Sequence, residues 1–177
     1  MQGILDDYEI KRMAPPKRVH RNVGSNIHGE IRWKFKNDNK YKIYYECPVL
    51  IPIAIREKYK DKYETEFKKK FPKKYLIPDI VVLTDFAIDK DDCVDGAPDL
   101  VIEILSDSTA KFDTGMKRDI YKDIGVREYW TVGSNEIYII QHDFINNDIN
   151  ILEEDEFENI TSVIFPELIL QREDIYK

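Results

Sequence analysis

The chain is poor in the residue types that announce many specialised chemistries. Its two cysteines, Cys47 and Cys93, have no CxxC spacing and no nearby histidine pair. That excludes a cysteine zinc site and a disulfide framework, and it fits a reducing compartment. There are seven glycines and no glycine-rich loop of the kind that cradles phosphates. The longest apolar run, Pro48 to Ile55, is far too short to span a bilayer. The first residues, MQGILDDYEIKR, are acidic where a signal peptide needs an apolar core. A soluble, cytoplasmic protein without a membrane segment is the expectation. Positive charge is also in deficit: 34 acidic against 27 basic residues give a net charge of -7, so any nucleic-acid contact must be local.

What is present is an ordinary globular composition of 177 residues, enough for one domain and too little for two. The chain is organised around residues 96–130. Leu100 to Leu105 is an apolar run interrupted by one acid, Glu103, and reads as a mostly buried strand. A buried carboxylate is expensive unless a cation or a metal compensates it. Alternation puts Asp99, Val101, Glu103 and Leu105 on one face and Leu100, Ile102 and Ile104 on the other. The cluster Ser106-Asp107-Ser108-Thr109 breaks the strand and caps a following helix. That helix has a core stripe of Met116, Ile120 and Ile124, a second row of Asp113, Lys117 and Tyr121, and Gly125 as its stop.

A second apolar run, Leu76 to Leu83, also holds one acid, Asp79. Two strands with one carboxylate each rarely arise from packing needs alone. If they are neighbours, Asp79 and Glu103 can converge on one cation, and oxygen ligands favour magnesium or manganese. The aspartates from Asp85 to Asp95 match no calcium loop and read as a solvated link.

The remaining segments frame this centre. Residues 1–24 read as an irregular N-terminal arm, in which Lys17, Arg18, His20 and Arg21 are more simply solvated than phosphate-bound. A helix is expected from Ser25, with Ile27, Ile31 and Phe35 inward. His28 and Glu30 lie in its first two turns; the default for both is a solvated side chain, with a supporting role at the site as the alternative. Tyr41 to Ile55 reads as one long or two short strands, and Arg56 to Lys74 as an amphipathic helix or insert with Tyr59, Tyr63, Phe67 and Phe71 at four-residue spacing. Those aromatics pack on the sheet in the simpler reading and stack on nucleic acid in the alternative. Glu128 to Val132 and Ile137 to Ile140 form a closing hairpin, residues 143–158 an acidic loop, and Ile160 to Lys177 a last short strand or helix.

Taken in order, Pro78-Asp79-Ile-Val-Val, Ala97-Pro-Asp-Leu-Val-Ile-Glu103-Ile-Leu-Ser106, Asp113, Lys117, Tyr121, Gly125-Val-Arg-Glu-Tyr-Trp130 and Ser162-Val-Ile-Phe-Pro-Glu-Leu168 resemble the Uma-two family of endonucleases, within the PD-(D/E)xK nuclease superfamily. The resemblance runs from about Ile27 to the C-terminus. It implies an α/β fold with a restriction-endonuclease-like core, a mixed β-sheet flanked by helices, in a single domain over residues 25–177. It also implies a Mg2+ (or Mn2+) dependent nuclease acting on DNA, with Asp79 and Glu103 as metal ligands. The superfamily pattern wants a lysine two residues after the glutamate, where this chain has Leu105; the resemblance moves that lysine to the helix, at Lys117. Asp113 would orient Lys117, and Asp99, Tyr121, Glu30 and His28 complete the supporting set. A homodimer follows only by analogy with nucleases that cut both strands. Two alternatives stand beside the nuclease. One is a lapsed nuclease-fold domain that binds nucleic acid or a protein partner without cutting. The other is a structural subunit in which Asp79 and Glu103 are simply paired inside the core.

Overall fold

The computed structural model describes residues 18–67, 74–106 and 110–177. Helix α1 (Arg18–Lys34) is followed by strands β1 (Lys42–Tyr45) and β2 (Val49–Leu50), helix α2 (Ile53–Phe67), and strands β3 (Tyr75–Leu76), β4 (Ile80–Leu83) and β5 (Leu100–Leu105). After β5 a π-helical segment (Phe112–Lys117) leads into α3 (Arg118–Ile124). Then come β6 (Glu128–Gly133), β7 (Tyr138–Asp143), β8 (Asp148–Glu153), β9 (Asn159–Thr161), β10 (Ile169–Gln171) and a final helical turn, α4 (Arg172–Ile175).

Six strands make one mixed sheet in the order β1-β4-β5-β6-β7-β8. Only β5 and β6 run parallel within it, joined over the sheet by α3, as a parallel pair requires. All six residues of β5 are buried, because both faces of the strand are covered. Leu100, Ile102 and Ile104 pack with Val23, Ile27 and Ile31 of α1 and with Trp130 and Val132. Val101 faces the opposite way, against Val81, Leu83, Tyr129, Met116, Ile120 and Tyr59 of α2. This alternation is the expected one, and it puts a helix layer on each side of the sheet. None of the described helices is long and apolar enough to cross a membrane.

Four local expectations need correction. Helix α1 begins at Arg18, so residues 18–24 belong to a helix rather than an arm, and His20 and Val23 extend its buried face towards the N-terminus. The preceding arm residues lie outside the described part. Ile53 and Ile55, expected in a strand, start α2, because the backbone turns at Pro52, whose carbonyl accepts from the Ile55 and Arg56 amides. Proline at a helix start forfeits no hydrogen bond. The acidic segment after Asp143 contains an edge strand, β8, whose apolar residues Ile149 and Ile151 face solvent. Finally, the helix after β5 opens as π-helix rather than α-helix. Of the aromatic row in α2, Tyr59 is buried as the packing reading requires; the side chains of Tyr63 and Phe67, and Phe71, lie outside the described residues, as do Asp107, Ser108 and Thr109.

Candidate active site

The site forms where β4 begins and β5 ends. These strands are antiparallel, with Ile80 opposite Ile102, so continuing the register by one residue sets Asp79 opposite Glu103. Directly opposed residues bring their side chains within about 5 Å. Asp79 is tied to β5 as well, since its Oδ2 accepts the Ile104 amide at 2.7 Å. The π-helical segment and α3 then lay Lys117 over the pair. Its Nζ donates to Glu103 Oε1 at 2.8 Å and stands 2.9 Å from Asp113 Oδ1. The latter contact is an ion pair without hydrogen-bond alignment, and Asp113 Oδ1 is otherwise sealed from solvent and unpartnered. Tyr121 donates to Glu103 Oε1 at 3.4 Å, while the Tyr129 hydroxyl pins the Asp113 carbonyl at 2.9 Å.

The electrostatics follow from this crowding. Asp79, Glu103 and Asp113 set three carboxyl groups against the one ammonium of Lys117 in a largely buried place. Burial pushes the Glu103 carboxyl well above its ordinary range; the Lys117 charge opposes this, and Asp113 and Asp79 reinforce it. Asp79 is raised for the same first reason, with the Ile104 amide, His20 and Lys117 pulling the other way. Burial disfavours the Lys117 ammonium, but Glu103 and Asp113 outweigh it and hold the lysine charged. The Tyr121 phenol is pushed far up by burial, then by Glu103, so it stays a hydrogen-bond donor.

Asp79 Oδ1 and Glu103 Oε2 accept no hydrogen bond among the described residues, whereas their partner oxygens do. No three described His, Cys, Asp or Glu side chains stand close enough to cage a metal by themselves. Among the described residues, Asp79 and Glu103 are the side chains placed to share an ion held here.

Of the expected supporting residues, Asp113 and Tyr121 are at this centre. Asp99 is not: it accepts from the Thr84 amide and hydroxyl at 2.7 and 2.9 Å and pairs with Arg127 at 3.0 Å, fastening the other end of β5. Glu30 pairs with Lys177 at 3.1 Å and serves the C-terminus. His28 packs edge-on against Tyr45, 5.5 Å between centroids, and burial followed by Arg32 lowers its pKa.

Sequence reasoning missed His20. It is buried, and its Nε2 lies 3.8 Å from Asp79 Oδ2, too far for a hydrogen bond but close enough to orient the carboxylate. His20, Gly24 and His28 recur every four residues along α1. Gly24 permits the approach of Tyr45, whose hydroxyl would lie 2.8 Å from a Cβ there. Burial and then Asp79 push the Tyr45 phenol up to about 12. The four-residue spacing was the available signal, hidden by starting the helix at Ser25.

Comparisons with known proteins bear on the fold and on the family. The fold matches a crystal structure described as "a putative nuclease belonging to DUF820" from Anabaena variabilis, with a TM-score of 0.69 over 91% of this chain and 82% of that one, at 16% identity. Comparison with curated proteins returns no match. Residues 4–171 match the Uma2 family, described as "Putative restriction endonuclease", and with nearly its whole length inside that match the chain belongs to the Uma2 family.

Proposed function

We propose that this chain is a divalent-metal-dependent endonuclease that hydrolyses phosphodiester bonds in DNA, with Asp79 and Glu103 as metal ligands and Lys117 as the catalytic cation. The observation that carries the reading is the opposition of Asp79 and Glu103 across β4 and β5, under the Lys117 ammonium. Magnesium and manganese fit this donor set. The carboxyl groups of the cluster outnumber its one ammonium, and magnesium is commonly held by one or two carboxylates plus substrate oxygens. The ion's contribution would be Lewis-acid polarisation of the phosphate.

The chain's own groups supply the rest. An ammonium has three N–H donors. Lys117 directs one to Glu103 and another faces Asp113, so the third is free for the attacking water or a phosphate oxygen. Asp113 and Tyr121 hold this arrangement from the helix side, and water is largely excluded, which strengthens each charge interaction. The lysine reaches the site from a helix rather than from position 105. Leu105 instead follows Glu103 on a buried strand, and the same ammonium position is reached by a long stem from the next element. Two active sites are needed to cut both strands, and we propose a homodimer for that reason.

A second reading has its own support: two of the three ammonium donors of Lys117 face carboxylates, as they would in a purely structural triad within a domain that binds without cutting. Nicking of supercoiled plasmid and of single-stranded DNA in magnesium or manganese separates the two. We expect metal-dependent cleavage by the wild type and its loss in Glu103→Ala and Lys117→Ala. A wild type that binds magnesium and leaves every DNA intact would favour the non-cleaving reading.

A further inference from the structure

The outer face of α1 stands apart from the rest of this acidic protein. Arg18 and Arg21 in its first turn, Arg32 near its end and Lys36 in the turn that follows are all exposed, and none pairs with a carboxylate among the described residues. In a chain with 34 acids and 27 bases, four such cations along one helix face are a local reversal of the overall charge. The spacing 18, 21, 25, 29, 32 and 36 keeps them on one stripe. The positions between them, Asn22, Ser25 and Gly29, are small and uncharged, and a Cβ at Gly29 would meet nothing within 4 Å. Glu30, the only acid of α1, is already paired with Lys177.

A further feature points to a ligand. Trp33 is 67% exposed beside the stripe, with Lys36 Nζ 3.0 Å from its ring centroid. An exposed tryptophan framed by cations offers an aromatic platform as well as phosphate contacts. The N-terminal end of the same helix reaches the candidate site from its buried face, opposite the stripe, where His20 lies 3.8 Å from Asp79.

We infer that the outer face of α1 is a nucleic-acid-binding surface, which holds a DNA backbone through Arg18, Arg21, Arg32 and Lys36 and stacks or covers a base with Trp33. This deepens the endonuclease reading and rests on it for the identity of the ligand. The seventeen residues of α1 extend about 25 Å, the length of roughly seven base-pair steps. Its small central residues let a strand lie close along the helix. The chain is acidic overall, and the stripe provides the local positive charge that a polyanion requires.

The test uses the full chain and a fluorescein-labelled mixed-sequence duplex in EDTA, with anisotropy measured across a salt series. The wild type should bind, and the replacement Arg18→Gln, Arg21→Gln, Arg32→Gln, Lys36→Gln should weaken binding at least about 100-fold at low salt. The slope of log affinity against log salt should fall by about 0.9 for each phosphate that the variant no longer neutralises. The same four positions changed while keeping charge (Arg→Lys, Lys→Arg) should bind within a few-fold of the wild type, which separates charge from folding. Trp130 is fully buried, so a change of tryptophan fluorescence on duplex addition that disappears in Trp33→Phe reports the platform. Failure of the wild type to bind, or an unchanged affinity and salt slope in the neutralised variant, would overturn the inference. Cleavage is scored separately in magnesium. A chain that binds through the stripe but never cuts keeps this surface and loses the nuclease reading; one that cuts normally after neutralisation keeps the nuclease and loses the surface.

Discussion

Two buried glutamates on neighbouring strands of the same sheet meet opposite fates. Glu128 opens β6 and points to the α1 side; Glu103 lies towards the end of β5 and points to the α3 side. Glu128 is surrounded by neutral donors: Trp130 Nε1 at 2.6 Å, Gln141 Nε2 at 2.7 Å, the Ser162 hydroxyl at 2.6 Å, and the amides of Val163 and Ile164 at 3.1 and 3.2 Å. Both of its oxygens are occupied, and it clamps the C-terminal segment to the sheet. Glu103 meets one cation and a distant phenol on a single oxygen, with two more carboxylates nearby. A buried acid saturated by dipoles is a fastener. One left partly unsatisfied among like charges is a candidate for a functional site.

Mutation should exaggerate the difference. The largest effect is expected for Glu128→Ala, which takes the carboxylate from five donors, of which Gln141 keeps the Thr161 carbonyl, and should cost about 4 kcal/mol of stability; chemical denaturation measures it. Glu103→Gln should do the reverse, keeping the melting temperature while lowering cleavage by about 10²–10³-fold. Equal losses of stability in the two variants would erase the distinction.

Lys117→Met sharpens it further. Without the ammonium, Glu103 rises even higher, so the folded state holds a proton that the unfolded chain releases above the ordinary carboxylate pKa. Folding of this variant should therefore weaken as pH rises above the ordinary carboxylate range, and a melting temperature that stays flat there argues against the charge cluster. A smaller effect is expected at His20. His20→Ala removes the imidazole that orients Asp79, and manganese affinity measured calorimetrically should fall about 10–100-fold, with partial rescue in His20→Asn. Affinity equal to the wild type would reduce His20 to packing.

The smallest effect lies away from both glutamates. His142 packs against Tyr129 and Phe144, and burial, then Arg118 and Lys122, lower its pKa to about 4. Between about pH 6.5 and 4 the unfolded chain binds a proton that the folded one refuses, so acid favours unfolding. The loss should grow as pH falls through this window and level off below about pH 4. His142→Phe should flatten that acid limb of the stability curve, and an unchanged limb would exonerate the histidine.

Much of this centre is legible in the sequence. Glu103 within Leu100–Leu105 and Asp79 beside Ile80–Leu83 stand out as acids in apolar runs, and the Asp113, Lys117, Tyr121 row stands out as a four-residue repeat. Family resemblance was needed to choose Lys117 over Lys111 or Lys122, since spacing alone does not say which lysine a helix turns toward a strand. Asp99 misled because sharing a strand face with Glu103 does not mean sharing a site; it sits four residues back and finds Arg127. Glu128 gave no signal, because most of its partners lie 13 to 36 residues away in sequence.

Local sequence decided which residues are strand, which face each side chain takes and which acids are buried, because periodicity and the cost of desolvation act over a few neighbouring residues. Tertiary structure alone decided that Asp79 faces Glu103, that His20 comes from the far side of the sheet to meet them, and that Glu128 is saturated while Glu103 is not. Those outcomes depend on strand order and register, which bring together groups that no local pattern connects.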